Sequence, residues 1–155
     1  MQYSLVKVFW FFVHPIKRIY WYIFRPKTRG VKCLIEKDSK FLLVKLNYAK
    51  RKWTFPGGGV KKRESFLEAA IRETKEEAGV DVINPVFIGS YESRIEYKHD
   101  TVEVYLGSTE RLELKVDPIE VEQAAWFSRN ELPENHSNSV DKIFNFYDEF
   151  RSIKN

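Results

Sequence analysis

Gly58-Gly59-Val60-Lys61-Lys62-Arg63-Glu64-Ser65-Phe66-Leu67-Glu68-Ala69-Ala70-Ile71-Arg72-Glu73-Thr74-Lys75-Glu76-Glu77-Ala78-Gly79-Val80 is the stretch that decides what this chain folds into. Ser65 with Glu68 three residues later makes a capping box, so a helix is expected over Ser65 to Ala78. Gly79 supplies its stop, because glycine adopts the left-handed conformation that closes helices. Leu67, Ala70, Ile71, Thr74 and Ala78 recur at helical spacing and predict the buried face. Glu73, Glu76 and Glu77 lie on one side of the same helix, expected to point away from that apolar stripe. Like charges three and four residues apart cost a helix roughly 0.2–0.5 kcal/mol per pair. They also sit near the C-terminal end, where the helix dipole disfavours anions. A divalent cation reverses that penalty, and Mg²⁺ prefers carboxylate oxygens and water. The other reading of the cluster is a solvated acidic face.

The residues just upstream shift the balance towards chemistry. Gly57, Gly58 and Gly59 permit close backbone approach. Such a turn can set a carbonyl on a metal or an amide N–H on a phosphate. Further out, Val31 to Glu36 and Phe41 to Leu46 flank Lys37-Asp38-Ser39-Lys40 and read as a β-hairpin. Trp53-Thr54-Phe55 reads as a short strand entering the glycine turn. Val86 to Tyr91, Ser93 to Tyr97 and Val102 to Leu106 read as strands, and Glu120 to Phe127 leads into another. Val140 to Ile153 is a second helix, with Val140, Ile143, Phe144, Tyr147 and Phe150 as its apolar stripe. Together these predict an α/β fold with a mixed sheet covered by helices. Pro26 to Gly30 reads as a joint, dividing an aromatic and basic segment, 1–28, from a main domain, 29–155.

Composition bounds the function classes. The chain has 155 residues and 43% apolar content, enough for one packed core and too much for disorder. Cys33 is the only cysteine, so no disulfide framework forms within the chain and a reducing compartment, the cytoplasm, is expected. Cys33 itself reads as a small apolar strand residue. The net charge of +4 hides an asymmetry: Met1 to Arg63 carries 16 Lys or Arg against two acids, and Glu64 to Asn155 carries 10 against 20. A basic half suits phosphates or a membrane surface, and an acidic half suits cations. Mutual neutralisation across the fold is the plainer alternative. The apolar and aromatic stretch Leu5 to Val13, interrupted only by Lys7, is nine residues, too short for the roughly 20 that span a bilayer. No small-residue cleavage site follows it, so a secretory signal is not expected.

Gly58, five residues, Glu64, seven residues, Arg72-Glu73, two residues, Glu76-Glu77, one residue, Gly79-Val80 resembles the Nudix box, with Thr74 standing where that pattern has a bulky apolar residue. Trp53-Thr54-Phe55-Pro56 before it, and Trp126-Phe127 with Glu131-Leu132-Pro133 after it, are similar to the family's flanks, so the resemblance runs from about Arg29 to Phe150. Lys61 and Arg63 depart from the Glu and Gly frequent just before the box glutamate. The resemblance implies the Nudix fold, a mixed sheet sandwiched between helices, and hydrolysis of a phosphoanhydride bond in a nucleoside diphosphate linked to a further group. It implies Glu73, Glu76 and Glu77 as Mg²⁺ ligands, with Mn²⁺ able to substitute, and the carbonyl of Gly57 or Gly58 as an added ligand. Arg72 is implied to hold the box carboxylates, and Glu64 to orient Arg72 or bind a second ion through water.

The general base lies outside the box in many such enzymes. Glu120 and Glu122 are the leading candidates here, followed by Glu103 and Asp100. Trp53, Tyr48 and Tyr97 are candidates for stacking on a base, and Lys50, Arg51 and Lys52 for attracting the phosphates. The expected partner is a small nucleotide. A homodimer and weak membrane-surface contact through residues 3–29 are compatible with the sequence, and nucleic-acid contact is left open. Two other functions are weighed: a membrane-surface protein acting on a lipid-linked pyrophosphate, and a catalytically silent nucleotide- or RNA-binding module. The intact box speaks against the silent module.

Overall fold

A computed structural model describes residues 27–47, 51–93 and 99–154. The N-terminal aromatic segment, Tyr48, Lys50 and Tyr97 lie outside the described residues. Strand β1 (Lys27–Lys37) and β2 (Lys40–Leu46) form the expected hairpin, with Lys37 opposite Lys40. Asp38 and Ser39 both take positive φ, 51° and 60°. That is the two-residue turn whose twist matches the flanking strands. β1 begins at Lys27, so the segment read as a joint is already strand, held by pairing from Lys27 onward with His99 and its neighbours.

β3 (Trp53–Thr54) pairs with β2; helix α1 (Phe66–Ala78) follows, then β4 (Ile83–Ser93), β5 (His99–Ser108), β6 (Val121–Ser128) and helix α2 (Asn138–Lys154). The mixed sheet is as expected: β1 runs parallel to β5, and β5 is antiparallel to β4. β6 lies antiparallel on the other edge of β2. β1 and β2 part after their turn, and the chain from Trp53 to Gly59 fills the gap. It pairs with β2 through Thr54 and with β1 through Cys33 N–H to the Pro56 carbonyl, 2.9 Å, and Val31 N–H to the Gly58 carbonyl, 2.9 Å. A glycine turn is thus held inside the sheet.

Period-two alternation gives the sheet two apolar faces. Val31, Cys33 and Ile35 face α1, and Leu34, Leu43, Phe55 and Val104 face α2. Val140, Ile143 and Phe144 dock α2 as its periodicity predicts, and Phe144 meets Phe41 edge-on at 4.9 Å. Cys33 is fully buried. Among the described residues no helix is long and apolar enough to cross a membrane.

Helix α1 corrects one expectation. Ser65 caps it through the full capping box and Gly79 closes it at φ 74°, as read. Its buried face, however, is Ala69, Ala70, Thr74, Glu77 and Ala78, while Leu67 and Ile71 are more than a third exposed. Ala70, Thr74 and Glu77 fall within about 60° of one another at 100° per residue, so they share the face that meets β1. Glu77 is 1% exposed. A carboxylate is tolerated there because the glycine turn presents a backbone N–H beneath it. Thr74 is fully buried, and its hydroxyl donates to the Ala70 carbonyl at 2.8 Å, satisfying the polar group in place of a bulky apolar one.

Candidate active site

Three of the box glutamates meet the glycine turn or its neighbourhood in different ways. Gly57 N–H donates to Glu77 Oε2 at 2.9 Å, and the other oxygen of Glu77 has no hydrogen-bond donor among the described residues. Burial pushes the Glu77 carboxyl up to about 7, against the opposing pull of Lys32 and the Gly57 N–H. Glu73 lies against Gly58 so closely that a Cβ on Gly58 would sit 2.6 Å from its carboxyl. Gly58 is therefore glycine for a steric reason. Glu76 is half exposed at the outer edge of the cluster.

Arg72 ties this region together. Its Nε and Nη2 donate to Glu64 at 2.7 and 2.9 Å, and Nη2 also reaches the Gly59 carbonyl at 3.0 Å. Nη1 donates to Glu73 at 2.7 Å and to Glu76 at 3.0 Å. One guanidinium thus fixes the turn, the residue before the helix and two helix glutamates at once. The paired Arg72 and the Lys61 N–H hold the Glu64 carboxyl down at about 2.

The structure separates the candidate bases. Glu120 is held in the turn before β6, where its N–H donates to the Asp117 carbonyl and its own carbonyl accepts from Asn47. Partial burial raises its pKa, and the charges of Glu73, Asp117 and Glu76 add to the rise. Glu122 instead pairs with Arg51 (Nε to Oε2 2.7 Å) and with Lys45, which lowers its pKa. Glu103 accepts from the Tyr105 hydroxyl and Asp100 from Thr28, both on the β5 side of the sheet. Arg51 is thus engaged by Glu122, and Lys52 is exposed. Trp53, a candidate for stacking, is 8% exposed, with Phe127 edge-on at 5.0 Å. Its remaining surface lines a cavity of about 470 Å³ with Leu114, Val116, Gln123, Ala124 and Ala125.

Among the described residues no three acidic side chains are gathered as a ready-made metal cage. Arg72 draws Glu73 and Glu76 one way, and Gly57 N–H draws Glu77 another. The donor chemistry nonetheless fits a hard divalent cation: a buried, under-neutralised carboxylate, a second against Gly58, and turn carbonyls nearby. One residue at the site was not foreseen. Lys32 on β1 is half-buried, and its ammonium donates to the carbonyls of Phe55, 2.8 Å, and Gly57, 3.4 Å. A lysine between Val31 and Cys33, inside the otherwise apolar run Val31 to Ile35, was the available signal.

A family model described as the NUDIX domain matches residues 26–149. The Bacillus subtilis protein YtkD, whose name carries the activity 8-oxo-dGTP diphosphatase, is 36% identical over 121 residues, covering 78% of this chain and 72% of its own. Diphosphoinositol polyphosphate phosphohydrolase 3-beta of Bos taurus is 34% identical over 93 residues, 59% of this chain; the match spans 57% of that relative's length. A crystal structure of a MutT NUDIX hydrolase from Burkholderia pseudomallei superposes with a TM-score of 0.70 at 25% identity, covering 77% of this chain and 96% of that one. The Bacillus subtilis pyrophosphohydrolase BsRppH superposes at 0.65 and 27% identity, covering 79% and 82%.

Proposed function

The chain belongs to the Nudix hydrolases, which act on phosphoanhydride bonds, and from that premise we propose that it is a Mg²⁺-dependent pyrophosphohydrolase of a nucleoside diphosphate linked to a further group. Glu73, Glu76, Glu77 and the carbonyl of Gly58 would hold the cation, and a bound cation would supply neutralisation of phosphate charge and activation of water. Arg72 and Glu64 keep those carboxylates and the turn in register. Glu120, held half-buried in the turn before β6, takes the proton from the attacking water. The nucleoside half occupies the cavity beside Trp53 and Gln123. Lys50, Arg51 and Lys52 attract the phosphates, and Tyr97 contacts the substrate. Mn²⁺ substitutes for Mg²⁺, and the enzyme works in the cytoplasm, with the residues before Lys27 as a segment apart from the hydrolase domain.

The observation that carries this reading is the fully buried Glu77, which accepts a single hydrogen bond, from the Gly57 N–H of the glycine turn. A helix built for stability alone has no reason to bury a carboxylate there. YtkD's name favours nucleoside triphosphates, which would yield a nucleoside monophosphate and pyrophosphate. The test is a substrate panel of nucleoside triphosphates, dinucleoside polyphosphates, nucleotide sugars and a diphosphoinositol phosphate, with products resolved by ³¹P NMR. Metal-dependent release of a nucleoside monophosphate from at least one nucleotide is expected. Turnover of the diphosphoinositol compound alone, or of none, overturns the nucleotide assignment.

A further inference from the structure

Four consecutive carbonyls of the glycine turn, Phe55 to Gly58, are held by only three residues of β1. The backbone N–H groups of Cys33 and Val31 take Pro56 and Gly58, each at 2.9 Å. The alternate pair, Phe55 and Gly57, is taken by the Lys32 ammonium at 2.8 and 3.4 Å. Gly57 is therefore gripped at both ends, its carbonyl by Lys32 and its N–H by Glu77. Only glycine fits position 57: its φ is 146°, and a Cβ there would lie 2.1 Å from the Val31 carbonyl oxygen.

Bringing an ammonium into a strand otherwise lined by Val31, Cys33, Leu34 and Ile35 carries desolvation and side-chain entropy costs. Two carbonyls offset part of that cost, and the nearby charges of Glu77 and Glu73 offset more. An apolar residue would fill the strand position but leave the Phe55 and Gly57 carbonyls without this donor. We propose that Lys32 is a positioning residue of the active site: its ammonium fixes the Gly57–Gly58 peptide, so that Gly57 N–H holds Glu77 and Gly58 lies against Glu73. This rests on the reading above that the turn and these glutamates form the hydrolytic centre.

Lys32→Met keeps the stem and removes the ammonium, and Lys32→Arg keeps charge and donors. Displacement of a catalytic group by about 1 Å can cost two orders of magnitude in rate. For Lys32→Met, kcat is therefore expected to fall about tenfold or more, with KM for a nucleoside triphosphate changed less than about twofold. Lys32→Arg should recover part of kcat. Amide hydrogen exchange of the metal-free full chain gives the second readout. In Lys32→Met, exchange at Gly57, whose N–H is bonded to Glu77, should accelerate while Ile143 in α2 stays as in the wild type. Unchanged exchange at Gly57, or equal acceleration at Ile143, overturns the proposal, as does wild-type kcat. If Lys32→Met does not fold, Lys32→Gln is scored by the same readouts. An inactive wild type sinks the hydrolase reading instead, and the metal-free exchange still decides whether Lys32 holds the turn.

Discussion

Glu77 shows what a single residue contributes. In the folded, metal-free chain its carboxyl lies at about 7, against an ordinary value of 4.5. A raised acid pKa means that the folded state holds the proton more tightly than the unfolded state. The stabilisation is complete below pH 4.5 and is lost as pH rises through about 7. A shift of this size corresponds to roughly 3 kcal/mol. The metal-free protein should therefore be less stable at pH 8 than at pH 5, and Glu77→Gln should flatten that slope while lowering kcat on the order of 100-fold. Denaturant unfolding at the two pH values checks it; a wild-type slope in Glu77→Gln, or undiminished kcat, contradicts the role given to this carboxylate. The sequence identified Glu77 as special yet placed it facing solvent. The donor that allows its burial, Gly57 N–H, comes from another segment 20 residues away and is invisible to helical periodicity.

The glycine turn is the element on which the site depends, and its glycines serve different ends. Gly57 needs its unusual backbone and has a backbone oxygen where a Cβ would go, so Gly57→Ala should destabilise the whole fold strongly. Gly58 has only the end of the Glu73 side chain in the way. Gly58→Ala should leave the melting temperature within a few degrees of wild type but displace Glu73 and reduce kcat. Thermal unfolding beside steady-state kinetics separates the two; equal melting temperatures for both variants would contradict the steric account. The hairpin turn, the capping box and the stripe of α2 were legible because each signal is local. The wedge of Trp53 to Gly59 between β1 and β2 was not, nor was the parallel pairing of β1 with β5. Both depend on partners far apart in sequence, and no local pattern encodes register between them. Leu67 and Ile71 were read as core because periodicity gives a face but not its centre, which is set by what α1 packs against.

At the scale of the whole molecule, the two charge halves meet in a few ion pairs among the described residues. Arg51 and Lys45 from the basic half pair with Glu122, and Lys61 approaches Glu76. Neutralisation across the fold therefore accounts for part of the asymmetry. The loop around Lys50-Arg51-Lys52 remains the test of whether the basic half also attracts substrate. Replacing all three by Ala should raise KM at low salt, and the rise should shrink at physiological ionic strength, where the Debye length is about 8 Å. kcat should change less, since uniform binding acts on ground and transition states alike. An unchanged KM at low salt leaves that loop without a part in binding.

The measurement that bears most directly on the central claim is turnover of the preferred nucleotide by the full chain in Mg²⁺, in excess chelator, and after Mg²⁺ is restored. The site predicts activity with Mg²⁺, loss of activity with chelator and recovery on addition, because the carboxylates of Glu77 and Glu73 repel a phosphate unless a cation lies between them. Full activity in excess chelator would contradict the assignment of these glutamates as cation ligands.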